Sequence, residues 1–65
     1  MKIIAIDERN DIEKRLDVAS IIEAANKLNI NLEEVIITKN NELVTEKAKI
    51  KENDEIKFLS VISGG

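Results

Sequence analysis

The chain has 65 residues, which allows one small domain and no second one. Cysteine and histidine are absent, which excludes a disulfide framework, thiol chemistry, and the side chain that most often serves as general base or metal ligand near neutral pH. Ten basic and thirteen acidic residues give a net charge of −3, and the lysines are scattered without an aromatic platform; nucleic-acid binding is therefore not expected, and a mildly acidic surface suits solubility first and a basic protein partner second.

Residues 2–6 contain the β-branched Ile3, Ile4 and Ile6 and read as a strand. Residues 7–11 are polar and read as a turn. Residues 12–16 read as a second strand, with Ile12 and Leu16 on one face, Lys14 between them, and Glu13 and Arg15 on the other face. Asp17 is a suitable helix N-cap, and Leu16 and Ile21 are spaced for a hydrophobic staple around it. With that cap, Ser20 occupies the third helical position and the capping box is incomplete. Val18, Ile21, Ile22, Ala25 and Leu28 then form one apolar face of a helix of about three turns, which Asn29 ends in the left-handed conformation.

Ile30 and Leu32 are expected to plug the helix end into the core. Residues 35–38 form a third strand, and Asn40 and Asn41 supply the positive φ that a tight hairpin demands before a short return strand at Leu43 and Val44. Residues 45–53 are polar except for Ala48 and Ile50 and read as a surface crossover held by those two anchors. A turn at Asn53 and Asp54 leads into the last strand, where Ile56, Lys57 and Phe58 alternate before an apolar run from 59 to 62. The fold class is thus α+β: a mixed sheet of four to five strands with one helix packed on one face. The helix permits a crossover that lays the last strand parallel to the first, which is the β-grasp, or ubiquitin-like, arrangement. The whole chain, 1–65, is read as a single such domain with a flexible Gly-Gly tail over about residues 62–65.

Three stretches resemble the ubiquitin-like sulfur-carrier family, which includes the thiamin-pathway sulfur carrier, the small subunit of molybdopterin synthase and the small archaeal modifier proteins. They are V-I-I-T-K-N-N-E-L-V at 35–44, K-I-K-E-N-D-E-I-K-F at 49–58 and V-I-S-G-G at 61–65. The family often has Gly-Asp before its last strand, where this chain has Asn53 and Asp54, and Asn is the next-best residue for a left-handed backbone. Its hairpin often carries Asn-Gly, where this chain has Asn40 and Asn41. Molybdopterin-synthase subunits often have prolines before the tail; this chain has none.

The resemblance implies a chemistry for Gly65. A free carboxylate is ionised at neutral pH, with a pKa of about 3.5, and is a poor electrophile until activated. By resemblance, an adenylating activating enzyme uses ATP to form an acyl-adenylate on Gly65. A sulfur donor protein then displaces AMP and leaves a thiocarboxylate for a downstream synthase, in cofactor biosynthesis or tRNA thiolation. The chain itself would be a carrier and not an enzyme, binding no cofactor. Gly64 and Gly65 are the chain's only glycines, and the absence of Cβ atoms suits a tail that must enter a narrow channel, with the small Ser63 before them. Two other readings remain: a protein modifier joined through Gly65 to lysines of a target protein, and an interaction domain with an inert tail.

A docking surface is expected beside the tail. If Ile56 and Phe58 face the helix, Leu59 and Val61 lie on the open face, joined by Ile36 if Val35 and Ile37 point inward. No metal site is expected: Asp7, Glu8 and Asp11 read as a charged hairpin turn, and Glu52, Asp54 and Glu55 as a solvated one. The apolar run at the N-terminus is short for a signal peptide and nothing approaches a membrane span, so a cytoplasmic protein without membrane association is expected.

Overall fold

The computed structural model describes residues 1–61. The isoleucine-rich start forms β1 (Lys2–Asp7), in which Ile3, Ala5 and Asp7 are buried and alternate with more exposed neighbours. It pairs antiparallel with β2 (Ile12–Asp17), Lys2 opposite Asp17 and Asp7 opposite Ile12. Because β2 is an edge strand, Lys14 stays exposed between the half-buried Ile12 and Leu16, which reconciles its mixed pattern with a strand. Asp7 is not part of the turn. It closes β1, is buried, and accepts a hydrogen bond from Asn10 Nδ2 at 2.8 Å.

The helix α1 (Ile21–Lys27) starts later than the sequence implies. Its N-cap is Ser20 and not Asp17: Ser20 is extended and its Oγ accepts from the Glu23 backbone N–H at 3.1 Å. Glu23 Oε1 reaches back to accept from the Ala19 N–H at 2.7 Å, so Ser20 and Glu23 make a capping box one residue wider than the usual one. Asp17 ends β2 instead, and its Oδ1 accepts from the Met1 ammonium at 3.1 Å. That hydrogen bond is the main reason its pKa lies below the ordinary aspartate value.

Starting at Ile21 gives a helix of about two turns and rotates its buried face to Ile21, Ala24 and Ala25. Ile22 therefore falls off that face and is 43% exposed, while Val18 is buried ahead of the helix. The end is as expected. Asn29 has φ 60°, the Asn29 N–H bonds to Asn26 O, and the Ile30 N–H bonds to Ala25 O at 2.8 Å, which together make a Schellman motif.

Ile30 and Leu32 pack against the core as plugs, and a short 3-10 turn (Leu32–Glu34) delivers the chain to β3 (Val35–Lys39). Asn40 and Asn41, with φ 51° and 71°, turn it into β4 (Glu42–Val44). The crossover that follows buries Ile50 and packs Ala48 against the core. Asn53 takes φ 68°, the conformation for which glycine would otherwise be used, and β5 (Glu55–Ser60) begins.

Asp54 is buried rather than solvated. Its Oδ1 accepts from Asn40 Nδ2 at 3.0 Å and its Oδ2 from the Lys51 N–H at 2.7 Å. The Asn40 hydrogen bond, ahead of the Lys51 one, holds its carboxyl below the ordinary aspartate pKa against the opposing effect of burial.

The five strands lie in the order β2-β1-β5-β3-β4. Strands β1 and β5 are parallel, and the other neighbours are antiparallel. The predicted mixed sheet with one helix on one face is therefore formed, and the core lies between α1 and the sheet. Ile3, Ala5, Ile37, Ile56 and Phe58 supply the sheet side; Val18, Ile21, Ala24 and Ala25 supply the helix side. Among the described residues no helix is long and apolar enough to cross a membrane.

Candidate functional site

The last strand is the centre of the sheet, and this fixes where the tail begins. Strand β5 is hydrogen-bonded to β1 on one side and β3 on the other, with Ile56 and Phe58 fully buried beneath it. Two more bonds extend the pairing at its end: Glu8 N–H to Phe58 O at 3.1 Å, and Val61 N–H to Glu34 O at 3.1 Å. The chain is therefore held up to Val61. Gly65, Gly64 and Ser63, and with them the expected flexible tail, lie outside the described residues.

The register settles the facing of the residues before the tail. Ile36 is directly opposite Leu59, and neither shares the face of the buried Ile37 and Phe58. Ile36 is 41% exposed, Val61 is 50% exposed and Leu59 is half-buried. Lys57, between Ile6 and Thr38, forms the next row on the same face and bounds the patch with a positive charge. The three residues singled out from the sequence thus lie beside one another at the sheet end from which the chain continues.

Leu43, 74% exposed, lies opposite Thr38 and so shares the open face with Ile36. The signal for it was present: in a two-residue hairpin between Lys39 and Glu42, the facing of β3 dictates that of β4. An apolar groove also runs along β4, lined by Leu32, Val35, Ile36, Leu43 and Val44, with Glu46 at its margin. It exists because β4 pairs only with residues 37–39 of β3 and leaves Val35 and Ile36 uncovered. Among the described residues no cluster of acidic side chains is arranged to hold a metal ion; Asp7 Oδ2 accepts from Asn10, and both Asp54 oxygens are taken by Asn40 and Lys51.

Comparison with solved structures finds the same fold in a protein–protein complex of subunits 1 and 2 of the molybdopterin-converting factor from Helicobacter pylori 26695. The matched chain is 18% identical, each chain is covered in full, and the TM-score is 0.76. No curated protein matches the sequence. The family model of the ThiS family matches residues 2–65. The match takes in the strands, the open-face patch and the final glycines together, and the chain belongs to the ThiS family of ubiquitin-like sulfur carriers.

Proposed function

We propose that the protein carries sulfur on the carboxyl group of Gly65. An activating enzyme joins that carboxylate to the α-phosphate of ATP, releasing pyrophosphate. A sulfur donor protein then supplies the atom that displaces AMP and leaves a thiocarboxylate for a downstream synthase. The chain's own part is to present the carboxylate and to be recognised; ATP and the catalytic groups belong to the partner. One observation carries this reading. Val61 is fixed at the end of the central strand beside the exposed Ile36 and the half-buried Leu59, so a partner that covers this apolar patch is next to the residue from which the tail departs. Gly64 and Gly65, without Cβ atoms, suit passage into a narrow active-site channel.

The test is intact-mass spectrometry of the protein recovered from its native cells, together with digests of its conjugates. Replacement of one terminal oxygen by sulfur is the expected result, and deletion of Gly65 should abolish it. Tail remnants on lysines of other proteins, with no sulfur-bearing species, would assign the modifier role instead. A carboxylate unmodified under every sulfur supply tested would leave only an interaction domain.

A further inference from the structure

Strand β4 ends before it has covered β3. It pairs only with residues 37–39, because Thr45 turns the chain away: its Oγ1 accepts from the Lys47 N–H at 3.3 Å and its carbonyl from the Ala48 N–H at 3.0 Å. Glu46, which the same register would set opposite Val35, therefore lies outside the strand. This leaves the backbone polar groups of Val35 over. Along an antiparallel ladder such groups alternate in side. The Glu34 carbonyl and the Asn40 N–H are bonded on the β5 side, to Val61 and Glu55, so those of Val35, Ile37 and Lys39 point to the β4 side. Ile37 and Lys39 meet Val44 and Glu42 there, whereas the Val35 N–H and C=O have no backbone partner among the described residues. They lie at the apolar groove of about 470 Å³ that Leu32, Val35, Ile36 and Val44 line.

We propose that this notch takes in an extended segment of a partner protein by strand addition at Val35, with one apolar side chain in the groove and a lysine or arginine beside Glu46. A second backbone is the occupant that answers one donor and one acceptor set side by side on an apolar floor. Glu46 is the only charged residue lining the groove among the described residues, and Glu33 is exposed next to Leu32, so the charge beside it favours a basic flank. A second copy of this chain does not suit the notch. Of its two edge strands, β2 would bring Glu13, Lys14 and Arg15 onto the apolar floor, and β4 is itself one wall. The added segment is short, because β3 gives way to the 3-10 turn just before Val35. Ile36 lines the groove and also belongs to the open-face patch, so a partner that covers Ile36, Leu59 and Val61 reaches the notch around the sheet edge. That last step rests on the function proposed above; the chemistry of the notch does not.

The test titrates the peptide acetyl-Lys-Thr-Val-Thr-Lys-amide into the isotope-labelled full chain and follows its amide resonances by NMR. The expected result is saturable shifts at Val35, Ile36, Val44 and Glu46, with slower solvent exchange of the Val35 amide. The same peptide N-methylated at its valine loses the donor for the Val35 carbonyl and should bind about tenfold more weakly or worse. A peptide with glutamate in place of both lysines should bind about threefold more weakly, and Glu46→Gln should shrink that preference. Absence of saturable shifts, shifts centred on β2, equal binding of the N-methylated peptide, or equal binding of the glutamate peptide would each overturn the proposal. With the activating enzyme, excess lysine peptide should raise the carrier concentration for half-maximal adenylation, and no competition would overturn the assignment of the notch to that partner. Failure of the chain to be adenylated at all would refute the proposed function and leave the peptide titration to decide the notch.

Discussion

Asn40 is the residue whose replacement should be most informative about the fold. Its side chain bridges two turns: Nδ2 donates to Asp54 Oδ1 at 3.0 Å, and Oδ1 accepts from the Glu55 N–H at 2.9 Å. Its backbone stands at φ 51°, where a Cβ costs about 1–2 kcal/mol. Asn40→Gly removes both side-chain bonds and relieves that strain. A neutral bond is worth about 1 kcal/mol and one to a charged group about 1.5–3 kcal/mol, so after the relieved strain the net loss should be about 1–3 kcal/mol. Asn40→Ala keeps the strain and should lose about 1 kcal/mol more. A domain of this size has roughly 3–10 kcal/mol of stability in all, so the Gly variant should melt about 5–20 °C lower.

Far-UV circular dichroism in urea and on heating is the suitable assay, because the chain has no tryptophan or tyrosine. Acid titration supplies a second readout. The Asp54 pKa is lowered in the folded state, chiefly by Asn40, so this contribution to stability is present above the unfolded value of about 3.9 and is lost as pH falls below it through the lower folded value. The Asn40→Gly variant should show a shallower loss of stability across that acid range. A cost below about 1 kcal/mol, or an acid dependence identical to wild type, would refute the claim that Asn40 and Asp54 lock the hairpin to β5.

Other substitutions test the remaining assignments. Ser20→Ala should cost about 1 kcal/mol in a urea melt and Asp17→Ala much less, since Asp17 caps nothing and its ion pair is on the surface. Phe58→Ala, at the centre of the core, should cost about 3–5 kcal/mol and leave little folded protein at 37 °C by circular dichroism. Ile36→Glu should change stability by no more than about 0.5 kcal/mol yet weaken binding to the activating enzyme in a pull-down or calorimetric titration; global unfolding instead would mean that Ile36 belongs to the core.

The elements that were legible in the sequence are those whose local chemistry and burial agree. Asn40, Asn41 and Asn53 adopt the positive φ that their type foreshadows, and Ile56 and Phe58 bury the alternate face that their spacing implies. The helix is capped by Ser20 and not by Asp17, a choice that local sequence does not make, because the two are equally good caps in isolation. The choice was made by β2, whose pairing with β1 runs through Asp17 opposite Lys2 and leaves the residue in a strand. That displacement alone moved Ile22 to solvent and Ala24 inward. Asp7 and Asp54 looked like turn residues because sequence pattern treats a carboxylate as solvated. Asn10 and the Lys51 N–H are local partners three residues away, and only the fold brings Asn40 to Asp54 from another turn and buries both carboxylates. The patch was legible for the opposite reason: a strand buried on one face leaves no freedom for the other.

The arrangement of the sheet carries a last expectation about how the tail is presented. A tail attached to an edge strand would share that strand's local openings, whereas β5 opens only if it parts from β1 and β3 together and exposes Ile56 and Phe58. Its amides should therefore exchange with solvent only through global unfolding, and those of Leu43 and Val44 on the short edge strand β4 should exchange through local opening. Native-state hydrogen exchange in low urea distinguishes the two: the β5 amides should follow the full denaturant dependence of unfolding and the β4 amides almost none. The Val61 amide, bonded to Glu34 O beyond the strand, marks the boundary. If it exchanges with the β5 group, the rigid scaffold extends to Val61, and a partner docked on Ile36 and Leu59 finds that residue at a fixed place. If β5 itself exchanges as freely as β4, the central strand does not anchor the tail, and recognition must come from contacts to the tail residues instead of the patch.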